Sequence, residues 1–244
     1  MTTDFWNGTG DWSTDNAAWS DGSPPITIEN VEIQTGADIL TSAATIAALQ
    51  IDAPATLQLA ANSTLDLTGE LTVDGTLSNF GAVSGGGATE VAFGSGTNQL
   101  ILGPGATFGG AVVGGGVNST LELAVGSDAG VLNALGTTYT NFGAVIVDPG
   151  ATWTVDTFAS VLATTIFVGD GASSTLALTT TGSVNLGGVS KFGRVNLAAG
   201  NSTVTVTDTT LSGGSVSLHD GASGNNTVSA AADTSASKIG RAHV

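Results

Sequence analysis

Cysteine is absent from all 244 residues, which excludes a disulfide framework and thiolate chemistry, whether metal ligation or nucleophilic attack. Basic residues are nearly as scarce. Four lysines and arginines stand against 20 aspartates and glutamates, for a formal charge of -16. So negative a surface repels phosphate backbones and anionic lipid, which argues against nucleic acid as a partner. Charged residues are only 10% of the chain, so the solvated face must be built from Thr, Ser, Asn and Gly. Long apolar runs are missing as well. The longest uncharged stretch, 91–121, is broken by Pro104 and many glycines, and no transmembrane helix is expected there. The opening Met1-Thr2-Thr3-Asp4-Phe5 has neither the basic start nor the apolar segment of a secretory signal.

What is present is repetitive. A turn followed by Thr and apolar-x-apolar occurs at 55–59, 63–67, 119–123, 151–155, 174–178 and 202–206, as in Ser174-Thr175-Leu176-Ala177-Leu178. Apolar and polar residues alternate within it, the period of a half-buried strand. A unit of one turn and one strand cannot bury its own apolar face, so neighbouring units must stack on it. The threonines at 152, 175, 203 and 227 are 23, 28 and 24 residues apart, within the window of solenoid repeats. Coils of roughly 24 residues follow from this spacing. A second phrase, 79–83, 141–145 and 191–195, carries Phe-Gly-x-Val. Its ring and valine are expected inside the stack, and its Phe positions, 62 and 50 residues apart, are read as about two coils of one ladder. Ser42 to Ile51 and Asp156 to Ile166 have tolerable helical spacing but are flanked by strand phrases, and short edge strands or one-turn helices are expected.

The last residues are expected to have a different origin. Ile239-Gly240-Arg241-Ala242-His243-Val244 is the translation of ATC GGA AGA GCA CAC GTC, the start of a common sequencing-library adapter, with Lys238 as the junction. Residues 238–244 are therefore expected to be read-through in a metagenomic fragment and are set aside from fold reasoning. Lys191 and Arg194 are then the only basic residues, beside one histidine, His219, and one tyrosine, Tyr139.

That inventory leaves carboxylates as the only reactive class in number. Asp148, Asp170 and Asp220 each stand in a turn before Gly or Pro-Gly. Stacking could align them, but Asp before Gly is ordinary turn chemistry. The calcium nonapeptide Gly-Gly-x-Gly-x-Asp does not occur, so no metal ligand is assigned. No catalytic residue and no cofactor is expected.

At the N-terminus, Trp6-Asn7-Gly8-Thr9-Gly10-Asp11-Trp12 is followed by Trp19, Gly22-Ser23-Pro24 and Val31-Glu32-Ile33. This opening, with the later repeats at 199–206 and 221–227, resembles bacterial surface-repeat adhesins, the autotransporter-passenger and haemagglutinin-like proteins. The resemblance implies a right-handed parallel β-solenoid at the cell surface or outside the cell, non-catalytic, serving adhesion or display. Its partner would be a host or environmental surface, carbohydrate included. The expected organisation is an all-β chain with a Trp-rich cap and first strand at 1–35 and solenoid repeats at 36–237. Trp6, Trp12 and Trp19 are either a cap over the first coil or a carbohydrate-stacking surface. Ser127 to Thr138 is expected as a loop off the regular coil that could carry binding elements. The alternative function is a carbohydrate-active β-helix. An ice- or mineral-binding solenoid would need Thr-x-Thr in most coils, and here it appears at 152–154 and 203–207 but not in most coils.

Overall fold

The computed structural model describes residues 2–148 and 151–155. Beyond these it describes the strands at 165–168, 175–179, 195–197, 203–207, 216–220, 227–230 and 239–242. The chain is a parallel β-solenoid; the described residues are mostly strand, with one 3-10 turn among them at Asn16–Ala18. It divides into two compact units, Met1–Ser119 and Thr120–Val244.

In the first unit each coil contributes three short strands, one to each of three faces. The first face stacks β1 (Thr3–Asp11), the start of β2 (Asn30–Leu40), β4 (Ala48–Ile51), β7 (Leu71–Val73), β10 (Thr89–Phe93) and the start of β13 (Ala111–Leu123). The second takes the ends of β1 and β2, then β5 (Thr56–Leu59), β8 (Thr76–Asn79) and β11 (Asn98–Leu102). The third holds β3 (Ala43–Ile46), β6 (Thr64–Leu67), β9 (Ala82–Gly85) and β12 (Thr107–Phe108). β2 serves two faces because it bends at Gly36, whose φ is 87°. A Cβ there would lie 1.8 Å from the Gly8 carbonyl oxygen, so only glycine lets the cap strand approach.

Strand parity fills the lumen. Val31, Leu49, Leu71, Val91 and Val112 form one column of register partners, all at most 2% exposed. Leu57, Leu77 and Leu100 form another, each fully buried. Each such side chain contributes about 1.5–3 kcal/mol on burial. One winding takes 18 to 22 residues along the Val31 column, shorter than the expected 24, because four-residue strands are joined by turns of only a few residues.

Two expectations are corrected here. The phrases at 55–59 and 63–67 lie on adjacent faces of one winding, in β5 and β6, and do not stack on each other. In the Phe-Gly phrase at 79–83 Val83 is buried as expected, but its companion inside is Asn79, fully buried, while Phe80 is only part-buried. Asn79 fits because its Oδ1 accepts from Gly81 N at 2.9 Å and its Nδ2 donates to the Thr107 carbonyl at 3.2 Å. Phe80 instead lies over Gly103, where a Cβ would meet the ring at 2.1 Å. The boundary drawn at residue 35 falls inside β2, and Ser42–Ile51 forms β3 and β4.

The second unit keeps the parallel stacking. One ladder runs through β14 (Gly130–Leu132), β16 (Thr152–Val155), β18 (Thr175–Thr179), β20 (Thr203–Thr207) and β22 (Thr227–Ala230). The other runs through β15 (Tyr139–Val147), β17 (Thr165–Val168), β19 (Val195–Leu197), β21 (Val216–Asp220) and β23 (Ile239–Ala242). Thr152, Thr175, Thr203 and Thr227 are successive register partners, so the sequence steps of 23, 28 and 24 are coil lengths. Val145, Ile166 and Val195 share a column, which puts the two later Phe-Gly phrases two coils apart. Phe142 and Val145 are buried as expected, and Phe192 lies outside the described residues. The segment 127–138 is not an open loop. It contains β14, held by Trp153, whose Nε1 donates to the Ala124 carbonyl at 2.9 Å.

Candidate functional site at the capped end of the first coil

β1 is itself the topmost parallel strand. Its register places Asp4 on Val31 and Trp6 on Ile33, then slips by one between Trp6 and Asn7. Trp6 thereby closes the column of Ile33, Ile51, Val73 and Phe93. The chain returns over it: Trp19 packs edge-on against Trp6 at 4.8 Å and against Trp12 at 5.1 Å. Both indole N–H groups checked by this packing are satisfied, Trp6 Nε1 on the Gly8 carbonyl and Trp19 Nε1 on the Trp12 carbonyl, each at 3.1 Å. Asp4 pins the return, its Oδ1 accepting from Phe5 N, Ser20 N and Ser20 Oγ. Trp6, Trp12 and Trp19 are 0, 2 and 3% exposed. The three rings pack together over the first coil, each almost wholly buried. The fourth tryptophan, Trp153, is core in the second unit.

Three buried acids escaped the sequence reading: Asp4, whose Oδ2 has no hydrogen-bond partner, Asp38 and Glu90. Asp38 is fully buried in the lumen, under Gly10 and over Leu57, and neither carboxylate oxygen has a hydrogen-bond partner. Burial pushes its carboxyl up to about 7, with the charges of Asp11 and Asp15 adding to the shift. A signal existed: aligning 37–40 with 56–59 puts Asp38 at a leucine position. Glu90 is also fully buried, beneath Gly109 and Gly110. Its Oε2 accepts from Gly110 N, its Oε1 has no partner, and burial raises its carboxyl above the ordinary range.

Two depressions are lined by the described residues of the first unit. One, of about 330 Å³, lies between the Pro24–Thr27 segment and β3, with Trp12 and Leu40 at its floor. The other, of about 290 Å³, is a shallow polar hollow on the first face, lined by Thr3, Asn30, Glu32, Gln50, Glu70 and Thr72. Gln34 Nε2 donates to Glu32 Oε1 at 2.8 Å, orienting that carboxylate.

Of the aspartates considered from sequence, Asp148 and Asp220 are placed by strand register. Val147, Val168, Leu197 and Asp220 form one column, so Asp220 is in register with Val147, one residue before Asp148. Asp148 is part-buried, and burial raises its carboxyl; Asp170 lies outside the described residues. Among the described residues no group of three or more Asp, Glu, His or Cys side chains is placed to hold a metal ion. Nor is any helix among them long and apolar enough to cross a membrane. No protein-family model, no curated protein and no solved structure matches this chain, so the fold is the level at which it is classified: a capped parallel β-solenoid.

Proposed function

We propose that the chain is a structural and adhesive segment of a bacterial cell-surface or secreted repeat protein. The observation that carries this reading is the register of Thr152, Thr175, Thr203 and Thr227 over four successive windings. In the first unit, Thr56, Thr76 and Gln99 form a comparable ladder of part-buried polar residues on the outer side of the second face. Repeated hydroxyl and amide rungs at fixed spacing suit many weak contacts to an extended surface, and a side-chain-filled lumen makes the support stiff. The test is to coat beads with the purified chain and measure their retention under flow on polysaccharide, extracellular-matrix and abiotic surfaces. Retention above that of bare beads on at least one surface is expected; none on any would remove the adhesive part of the proposal.

A carbohydrate-active role is the second reading, favoured by the polar hollow that brings Glu32 and Glu70 to one parallel-strand face. Release of reducing ends from a polysaccharide panel, abolished by Glu32→Gln or Glu70→Gln, would support it over the adhesive one.

A further inference from the structure

The cap leaves one side of the first coil uncovered. β1 pairs with β2 along two faces, but on the third face β3 ends its sheet, with β6 as its one strand partner among the described residues. The carbonyls of Ser42 and Ile46 accept from Thr64 N and Thr68 N in the next winding. Backbone groups alternate sides along a strand, so those of Ala43 and Thr45 point the other way, toward the cap. Both residues are exposed, and both line the 330 Å³ groove. The far wall cannot fill this edge itself, because Pro24 and Pro25 have no N–H to donate. Pro24, Pro25 and Ile26 give it an apolar surface, with Ile26 58% exposed.

The rim is acidic. Asp11 accepts from Thr41 Oγ1 beside the groove, Asp66 is the register partner of Thr45, and the Glu29 carboxylate accepts from Ile26 N on the far wall at 2.9 Å. No lysine, arginine or histidine occurs before Lys191 in the sequence, so nothing in this unit balances those carboxylates internally.

We propose that the free edge of β3 is a docking site for an extended peptide strand from another protein, one in which apolar and cationic residues alternate. The backbone of such a strand pairs with Ala43 and Thr45. Its apolar side chains fall on the lumen side, over Ala44 and Leu40, and its cations fall outward, toward Asp11 and Asp66. The edge supplies affinity, and the missing positive charge supplies selectivity. This site is independent of whether the lateral faces are adhesive.

The experiment titrates the intact chain with an end-blocked octapeptide of alternating valine and lysine, read by calorimetry and by tryptophan emission, since Trp12 lines the groove. Saturable one-to-one binding with an emission change is expected. Methylating alternate peptide nitrogens, replacing lysine by glutamate, or the Thr45→Pro variant should each weaken binding by at least about tenfold. Absence of saturable binding overturns the proposal. So does equal binding of the N-methylated peptide, which would mean charge attraction alone and which decides the matter even if Thr45→Pro does not fold. Sedimentation showing that the chain itself dimerises through this edge, with no peptide competition, would overturn it in favour of a second copy as occupant.

Discussion

Asp38 rests directly on Leu57, in a lumen column that continues through Leu77 and Leu100. Its neighbour Ile39 is 38% exposed. Acid and isoleucine have thus exchanged the sides that hydropathy assigns them, because Leu40, 1% exposed, sets the parity of the strand.

This inversion makes stability depend on pH. The folded carboxyl is raised to about 7 from 3.8. Below pH 4 both folded and unfolded chains hold the proton, and the stability is full. Between about 4 and 7 the unfolded chain alone ionises, and stability falls by at most about 4 kcal/mol, levelling above 7. Urea unfolding followed by tryptophan emission should give a higher midpoint at pH 4.5 than at pH 8. Asp38→Asn should shrink that difference; an unchanged difference would assign it to other groups.

Trp6 closes the Ile33 column and is fully buried. Trp6→Ala is expected to cost about 3–5 kcal/mol through the cavity it leaves. It should also speed protease cleavage within 12–29. Cleavage at the native rate would show that the rest of the cap closes the coil without it.

Gly130 and Trp153 are register partners, and a Cβ on Gly130 would meet the Trp153 ring at 2.5 Å. Gly130→Ala should destabilise by about 1–3 kcal/mol. Combined with Trp153→Leu the two effects should be less than additive, since the smaller side chain removes the clash. Strict additivity in a double-mutant cycle would deny the contact.

Glu90 accepts the Gly110 N–H in a closed corner. Glu90→Ala orphans that donor and should cost about 1–3 kcal/mol, whereas Glu90→Gln keeps an acceptor and should cost less. Equal losses in thermal unfolding would deny that an acceptor oxygen for Gly110 N is what Glu90 supplies.

Much of the architecture was legible because stacking demands repetition. The alternation in Thr203-Val204-Thr205-Val206 and the spacing of its threonine from Thr175 describe a strand and a coil with no knowledge of neighbours. The cap was legible as a cluster of tryptophans. Its geometry was not, because whether a ring is buried depends on the return of Trp19 over Trp6. The coil length of the first unit was misjudged for a similar reason: one phrase recurs on two faces of the same winding, at Thr56 and Thr64, and sequence does not label faces.

The sequence by itself determined the strand period, the parallel stacking and the acidity, since these follow from local alternation, repeat length and charge count. Only the tertiary structure decided that Asp38 and Glu90 are buried, that Asn79 rather than Phe80 points inward, and that β3 keeps an open edge. Each of these depends on which residue of a distant winding lies above or below, a relation set by register and turn length together.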